Sequence, residues 1–364
     1  MKIALLGTRG VPARYGGFET AVEEVGTRMA AAGEVVTVYC RNEGQSLEEY
    51  RGMRLVNLPA LRRKSLETLS HTGASVLHAV RAGRTDVAFM FNAANAPLVP
   101  VLRAARIPVA VHLDGLEWKR AKWHGLGARY YRWAERASVR WADAVIADAR
   151  AISDHVREAY GAESEYIPYG APILEPASGR IRAAGFTPSG YHLAVARFEP
   201  ENHLEMVIEG YIRAGVVDPL VVVGSAPYGG DYLDRIEALA EGQPGVRMLG
   251  AVWDQAFLDE LYAGCSSYLH GHSVGGTNPS LLRAMGCGAS VIAFDVNFNR
   301  EVTGGLAAFF ADAHQVAVAL EAVEGDRAVA ARLGELGRDH VAVTYRWDDV
   351  AEAYLKLAHR LAAS

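Results

Sequence analysis

The segment GGTNPSLLRAMGCG, residues 275–288, combines the residue types that hold an anion. Its two leading glycines allow the backbone to approach a ligand, and Pro279 suits the first position of a helix capped by Thr277 or Asn278. The first amides of a helix lack partners within it and lie at the positive end of its dipole. The segment therefore predicts a helix start that binds phosphate or another anion.

A second glycine-rich loop, GTRGVPARYGGFET over residues 7–20, follows the first apolar segment. It lacks the GxGxxG pattern of a nicotinamide site, because the glycine at position 7 is followed by Thr8, Arg9 and Gly10. Such a loop makes either a phosphate contact or a tight turn, and Arg9 and Arg14 favour the phosphate contact. A nicotinamide-dependent oxidoreductase is not indicated.

The elements that must position these loops alternate between β-rich segments and helical patterns. Residues 19–32, for example, place Val22, Val25 and Met29 on one helical face. The β-rich segments are KIALLG, VVTVYC, MRLVNL, DVAFMF, IPVAVHL and ADAVIAD, and then YHLAVARF, PLVVVGS, VRMLGAV, SSYLHGH, ASVIAFD and LAAFFAD. This alternation predicts parallel α/β sheets.

Residues 167–179 are rich in Pro, Gly and Ser, which indicates a linker between two series of strands. With 364 residues and 50% apolar composition, the chain can bury two cores. We expect two doubly wound Rossmann-like domains, residues 1–170 and 171–346. Because ligands of such sheets bind at the carboxyl ends of the strands, the domains should face each other across a ligand-binding cleft.

Composition narrows the class of protein. The three cysteines, Cys40, Cys265 and Cys287, show no metal-ligand spacing, which predicts reduced thiols and no metal site. No apolar run reaches the ~20 residues of a membrane span, and the first is too short for a signal peptide. A cytoplasmic protein is expected. The sequence pI of about 6.2 and the lack of a binding motif argue against a nucleic acid partner.

Positive charge is concentrated in the first half of the chain. Residues 1–170 carry 23 Lys and Arg against 18 Asp and Glu, although the whole chain has a net charge of -5. Residues 116–141 alone hold seven basic residues, two acidic ones and four of the six tryptophans. This segment is either an amphipathic helix with an aromatic core stripe or a surface that rests on an anionic membrane.

Several motifs resemble those of retaining GT-B glycosyltransferases, the class known as glycosyltransferase family four. They lie in the expected order over nearly the whole chain: GGFE, IPYGA, ARFEPEN, GTNPSLLRAMGCG and YRWDDVAEAY. The longer strings GTRGVPARYGGFET, DGLEWKRAKW and HGHSVGGTNPSLL resemble the branch of bacterial rhamnosyltransferases that build cell-wall and exopolysaccharide chains. The resemblance implies a GT-B fold in which a final helix within residues 347–364 packs back on the first domain.

This resemblance implies an activity as well. A sugar, rhamnose from dTDP-rhamnose in this branch, would pass with retention to a hydroxyl of a glycan or a polyprenyl-linked saccharide. The donor, a nucleoside diphosphate sugar, would lie in the second domain, held by helix N-termini and a basic residue without a metal or other cofactor. Arg197 matches that residue, but the lysine usual five positions later is Asn202. Arg197 must then hold more of the phosphate charge.

The candidate site residues come partly from the patterns described above and partly from this resemblance. Arg197, Asp114 and His272 are the candidate catalytic residues; Asp114 either orients an acceptor hydroxyl or caps a helix, and His112 is expected in the core. The base is expected near the strand that holds Arg247. The donor-binding set is Gly16, Gly17, Arg247, Leu249, Gly275, Gly276, Thr277, Asn278, Ser280 and Arg283. The acceptor or membrane side is expected at Arg9, Arg14, Trp118, Lys119, Arg120 and Lys122.

Position 283 departs from the family, which usually carries two glutamates eight positions apart where this chain has Gly275 and Arg283. An arginine cannot accept hydrogen bonds from ribose hydroxyls. Its side chain would lean toward the helix start and the diphosphate. Arg283 either contacts phosphate, which a thymidine donor tolerates best, or weakens donor binding. Two alternative functions stay open: a GT-B sugar-nucleotide epimerase, and a catalytically impaired nucleotide-sugar-binding protein.

Overall fold

The computed structural model describes residues 1–13, 16–41, 47–61, 66–83, 85–113, 115–120, 123, 125–175, 177–226 and 229–364. These residues divide into two compact units, Met1–Tyr169 with Trp347–Ser364, and Gly170–Arg346. Three candidate site residues, Arg14, Asp114 and Lys122, lie outside the described residues.

A mainly parallel sheet of eight strands forms the centre of the first unit within the described residues. Its strands are β1 (Lys2–Leu6), β2 (Val35–Arg41), β3 (Glu49–Tyr50), β4 (Met53–Leu58), β5 (Val87–Phe91), β6 (Val109–Leu113), β7 (Ala144–Ala147) and β8 (Glu165–Tyr166). They are ordered β3-β4-β2-β1-β5-β6-β7-β8, and β3 pairs antiparallel with β4 at one edge. Strands β5 and β6 are buried throughout, as expected for a sheet covered on both faces.

Helices cover this sheet. They are α1 (Gly17–Ala31), α2 (Glu67–Ala82), α3 (Val99–Ala104), α4 (Leu126–Trp141) and α5 (Arg150–Tyr160), with 3-10 turns at Ala93–Leu98 and Glu117–Lys119. Helix α1 buries Val22, Val25 and Met29, the face that the sequence pattern predicts.

The second unit has a sheet of parallel strands. These are β9 (His192–Val195), β10 (Leu220–Val223), β11 (Val246–Gly250), β12 (Ser267–His270), β13 (Val291–Phe294) and β14 (Ala308–Phe310), ordered β11-β10-β9-β12-β13-β14. Its helices are α6 (Gly179–Ala183), α7 (Leu204–Ala214), α8 (Asp231–Ala240), α9 (Gln255–Gly264), α10 (Pro279–Gly286), α11 (Asn297–Thr303), α12 (Ala313–Gly325) and α13 (Arg327–Thr344), with a 3-10 turn at Pro200–Asn202.

The predicted pair of doubly wound α/β sheets is confirmed. In each sheet the strand order reverses beside the first strand, between β1 and β5 and between β9 and β12. Loops that leave neighbouring strands in opposite directions open a crevice at such a point, and ligands of doubly wound sheets bind there. The fold therefore directs attention to the loops that follow these four strands.

The last helix, α14 (Trp347–Ala362), belongs to the first unit. Its Tyr354 is only 1% exposed, packs edge-on against Phe89 and shares a 2.7 Å hydrogen bond with His112 Nδ1. Arg28 in α1 donates to Asp348 at 2.8 Å. Within the described residues, no helix is long and apolar enough to cross a membrane.

We predict that Tyr354→Ala lowers the free energy of unfolding by roughly 3 to 5 kcal/mol, because it leaves a cavity under α14 and an unpaired His112 nitrogen. Urea unfolding measures the loss. Lys356→Ala, on the exposed side of the same helix, is the matched control and should stay within about 0.5 kcal/mol of the native protein. Equal losses in the two variants would contradict a packed α14.

Candidate functional site

The candidate donor site lies in the second unit, at the loops that follow β9 and β12. Arg197 and His272 each come two residues after the end of their strand. The two loops are bound together, because the carbonyl of Glu201 accepts hydrogen bonds from Ser273 N at 2.9 Å and Ser273 Oγ at 3.0 Å. A Cβ on Gly271 would lie 2.1 Å from the carbonyl oxygen of Asn202, so this approach requires a glycine.

The start of α10 has the geometry expected of an anion-binding helix terminus. Pro279 is its first residue, and Asn278, one of the two predicted caps, accepts hydrogen bonds on Oδ1 from Ser280 N at 3.0 Å and Ser280 Oγ at 2.8 Å. Tyr268 supports Ser280 from below with a 3.0 Å hydrogen bond. Thr277 is buried and Gly276 precedes it, whereas a Cβ on Gly275 would meet no atom within 4 Å. The glycine loop therefore borders open space in front of the helix.

A stacked pair of histidines lies under this loop. The rings of His270 and His272 are 4.4 Å apart and nearly parallel. His270 is completely buried, and burial lowers its pKa to about 3. Asn299 fixes the backbone of the loop by donating to the carbonyl of His272 at 3.0 Å. His272 is thus held in place by a neutral aromatic partner, as a residue that orients a ligand would need to be.

Arg197 lies beside a carboxylate. Its guanidinium is 3.4 Å from Glu199 Oε2, and about a third of the side chain is exposed. Asn202, which stands at the position of the family lysine, donates from its side chain to the Arg197 carbonyl at 2.8 Å. Asn202 therefore shapes the loop and adds no charge. The neighbouring Glu201 carboxylate is buried without a hydrogen-bond partner in the described part of the chain, a feature that the sequence does not reveal.

The expected position of Arg283 is corrected by the structure. Its guanidinium forms an ion pair with Asp259 of α9, and both side chains are mostly buried. Asp259 also accepts a 2.7 Å hydrogen bond from Gln255. The attraction of a carboxylate on the adjacent helix outweighs the general tendency of a helical side chain to lean toward the helix start. Arg283 is therefore engaged by a carboxylate of α9 that the sequence did not indicate.

The two residues of the expected base site, Arg247 and Leu249, both belong to β11. Arg247 lies on β11, the outermost strand of the sheet, opposite Val221 of β10. Its guanidinium lies 5.5 Å from the centroid of the Phe186 ring. Leu249 lies one residue before the end of β11, where the register with β10 shifts. Leu249 thus lies near the carboxyl end of β11, whereas Arg247 lies near its start and makes a cation-π contact.

In the first unit, carboxylates hold the glycine-rich loop. Glu19 in α1 accepts a 3.0 Å hydrogen bond from the amide of Arg9, whose side chain is exposed. Burial raises the pKa of Glu19, and the Arg9 amide opposes that rise. A Cβ on Gly16 would lie 2.2 Å from Glu19 Oε2, and Gly17 begins α1. Both glycines serve the turn into the helix, in a different unit from the other donor candidates.

His112 is buried near the carboxyl end of β6, where it pairs with Phe91 of β5. Rings of Phe18, Phe91 and Tyr169 surround it, and burial lowers its pKa to about 3. Its Nε2 has no hydrogen-bond partner in the described ranges. His112 is therefore a neutral histidine within the core, as expected from its place in the strand.

Trp118 and Arg120, two of the residues expected on the acceptor or membrane side, have contacts within the first unit. Trp118 donates to the buried Glu135 at 3.1 Å, and the guanidinium of Arg132 covers its ring. Arg120 is paired with Glu117 at 2.6 Å. Lys119 is exposed, 5.5 Å above the Trp118 ring. A buried carboxylate thus draws this segment inward, and Glu135, which also accepts from His155 and Tyr160, was not predicted.

A third group of polar side chains lies at the opposite edge of the second sheet. His192, Asp218 and Glu324 bring ligand atoms within 4.8 Å of one another, close enough to be considered for a metal ion. Arg327 pairs with Asp218 at 2.8 Å, and Glu324 accepts backbone amides of residues 217 and 218. These contacts join α12 and α13 to the residues before β10, so the two carboxylates have a structural role.

Comparison with known proteins gives the class of this fold. Residues 16–170 match the family described as glycosyl transferase 4-like domain, and residues 191–326 match glycosyl transferases group 1. No curated protein sequence matches the chain.

Solved structures give the same architecture. Sucrose-phosphate synthase from Thermosynechococcus elongatus superposes with a TM-score of 0.86 at 22% identity, over 100% of both chains. HepE from Anabaena, determined with UDP-glucose, superposes with a TM-score of 0.79 at 16% identity, over 99% of this chain and 100% of its own. Trehalose 6-phosphate synthase from Burkholderia multivorans gives 0.72 at 11% identity, over 100% and 97%.

These matches identify the fold as GT-B. The two family models together take up most of the chain, one in each unit. The chain belongs to the GT-B glycosyltransferases related to family four.

The buried histidines predict a pH dependence. His112 has an ordinary pKa of 6.5 when unfolded and about 3 when folded, so unfolding takes up a proton below pH 6.5. Stability contributed by the neutral ring is present above pH 6.5 and is lost as the pH falls, by about 2 kcal/mol between pH 7 and pH 5. Between pH 7 and pH 5, the free energy of unfolding of His112→Gln, measured in urea, should therefore fall by about 2 kcal/mol less than that of the native protein. The exposed His359→Gln is the control, and an unchanged pH dependence in His112→Gln would contradict the assignment.

Proposed function

We propose that the protein transfers a sugar from a nucleoside diphosphate sugar to a hydroxyl of a glycan or polyprenyl-linked saccharide, with retention and without a metal ion. The sugar we propose is rhamnose, from dTDP-rhamnose. The observation that carries the proposal is the reversal point between β9 and β12, where Arg197 and the start of α10 stand at one edge of the sheet.

The chemistry of this edge suits a departing diphosphate. When the glycosidic bond to the donor breaks, negative charge grows on the β-phosphate oxygen. The first amides of α10 and the guanidinium of Arg197 would stabilise that charge more in the transition state than in the ground state. The glycine loop at residues 275 and 276 would let the phosphates approach the backbone. His272 would orient the transferred sugar.

Arg197 can bind the diphosphate only if its ion pair with Glu199 opens. Arg197 must exchange a carboxylate at 3.4 Å for a phosphate. Since the pair is partly exposed, it is worth little, and a doubly charged diphosphate would compete with it effectively.

Donor choice is proposed to depend on Arg283 and Asp259. HepE was determined with UDP and with UDP-glucose, so a uridine donor is the alternative to thymidine. A guanidinium held by Asp259 accepts no hydrogen bond from ribose. A deoxyribose has one hydroxyl fewer that needs a hydrogen-bond acceptor. The thymidine donor therefore loses less binding free energy than the uridine donor.

The acceptor is proposed to bind the first unit, near the loop that contains Arg9. Asp114 would orient its hydroxyl. A polyprenyl-linked acceptor would place the reaction at the cytoplasmic face of the membrane, with the protein bound peripherally.

Thermal unfolding with added nucleotides tests the donor site. A nucleoside diphosphate at 100 times its dissociation constant should add about 2.7 kcal/mol of stability. Arg197→Gln should weaken that binding by roughly 1.5 to 3 kcal/mol, the usual contribution of a hydrogen bond to a charged group. Arg332→Gln, an exposed and ion-paired arginine elsewhere in the same unit, is the control. If no nucleoside diphosphate stabilises the protein, the proposed function is wrong.

A charge exchange tests the donor preference. We predict that the native protein binds thymidine diphosphate better than uridine diphosphate by about 1 kcal/mol, one hydrogen bond. Arg283→Glu alone should destabilise the fold because it faces Asp259, and adding Asp259→Lys should restore stability. The double variant should gain affinity for uridine diphosphate and narrow the preference, as calorimetry would show. Equal affinities in both proteins would remove residue 283 from nucleoside recognition. Release of free sugar from the donor alone would instead favour an epimerase.

A further inference from the structure

The outer face of helix α4 is an unusual surface for a folded domain. At about 3.6 residues per turn, its exposed residues fall within roughly a third of the helix circumference. The opposite side is buried and includes Tyr131, Ala134 and Glu135. We call the exposed side the α4 cationic face; its members are Leu126, Arg129, Arg132, Trp133, Arg136 and Arg140.

The charge of this face is not compensated locally. In the part of the chain that the structure describes, none of its four arginines forms an ion pair; Arg132 instead stacks on Trp118 at 4.6 Å. Some exposed arginines elsewhere are paired, as Arg157 is with Asp154, and Arg360 with Glu165. The acidic residue of α4, Glu135, is turned inward and used there. The face therefore presents an unbalanced row of positive charges.

Exposed apolar groups lie among these charges. Leu126 is 81% exposed and Trp133 is 46% exposed. Trp133 is braced by Tyr130 and Trp141, whose ring centroids each lie 5.8 Å away, so its indole is held outward rather than folded over the helix. Fixed aromatic and aliphatic groups between cations match the chemistry of a lipid headgroup region, where indole rings and basic side chains are both stabilised.

We propose that the α4 cationic face docks this protein onto an anionic phospholipid membrane. The arginines lie over headgroup phosphates, while Leu126 and Trp133 enter the headgroup layer. From Arg129 to Arg140 the row extends about 16 Å at ~1.5 Å per residue, enough to contact several lipids at once. The inference rests on the proposed function only in that docking brings the enzyme to a lipid-linked acceptor; the surface itself is defined without it.

Vesicle sedimentation tests the proposal. The native chain should pellet with phosphatidylcholine vesicles that contain phosphatidylglycerol and remain in solution with phosphatidylcholine alone. The triple variant Arg129→Gln, Arg136→Gln and Arg140→Gln should bind roughly 100-fold more weakly, since each surface cation contributes about a factor of five or more. Leu126→Ser should weaken binding severalfold while leaving the charge unchanged. Raising the salt to about 0.5 M should release the native protein.

The matched control removes the same number of charges from paired arginines: Arg157→Gln, Arg332→Gln and Arg360→Gln. It should pellet like the native protein. Both triple variants should keep the native melting temperature and its shift with nucleoside diphosphate, so a failure of docking is distinct from a failure of the donor site. The proposal is overturned if the native protein does not bind anionic vesicles, or if the control variant loses binding to the same extent. It is also overturned if sedimentation equilibrium without lipid shows a dimer that the α4 triple variant does not form.

Discussion

A parallel sheet covered by helices on both faces leaves its polar chemistry only at the strand ends, and both units of this protein obey that constraint. Strands such as β5 and β6 are buried on both sides, so no functional side chain can stand on them without losing contact with water. Ligands of such sheets therefore bind at the loops of the carboxyl edges. The reversal of strand order then selects which loops diverge enough to admit a ligand.

Carboxylates position these loops. Glu19 holds the turn after β1 through the Arg9 amide, Asp259 holds Arg283, and Glu135 draws Trp118 inward. Each uses charge-assisted hydrogen bonds, which are shorter and stronger than neutral ones and so fix geometry well. The positions of the arginines alone do not determine which of them can bind an anion, because some are already paired with carboxylates. On α4 the outward arginines have no ion-pair partner among the described residues, and the glutamate of the helix, Glu135, is buried on the opposite side.

The sequence predicted the architecture well because hydrophobic periodicity is local. The twelve longer strands matched apolar segments in order, whereas the two-residue strands Glu49–Tyr50 and Glu165–Tyr166 are too short to show a period. The cap of α10 was predicted to within one residue, as Thr277 or Asn278, since capping depends on neighbours in sequence.

The partner of each side chain could not be predicted from the sequence, because these contacts join elements that are distant in the chain. Nothing near Arg283 in sequence indicates Asp259, which lies 24 positions away. The composition of residues 116–141 showed aromatic and basic content but not which residues face outward. Only the position of Glu135 on the buried side of α4 separates the inward Trp118 from the outward Trp133.

The return of α14 to the first unit has a consequence for how the chain is made. The second unit is inserted between Tyr169 and Trp347, so the ribosome completes it before it delivers the helix that covers Phe89 and His112. Until then the nascent first unit exposes an apolar groove that Tyr354 later fills. Chaperone demand during synthesis should therefore fall on the first half of the chain, although it emerges first.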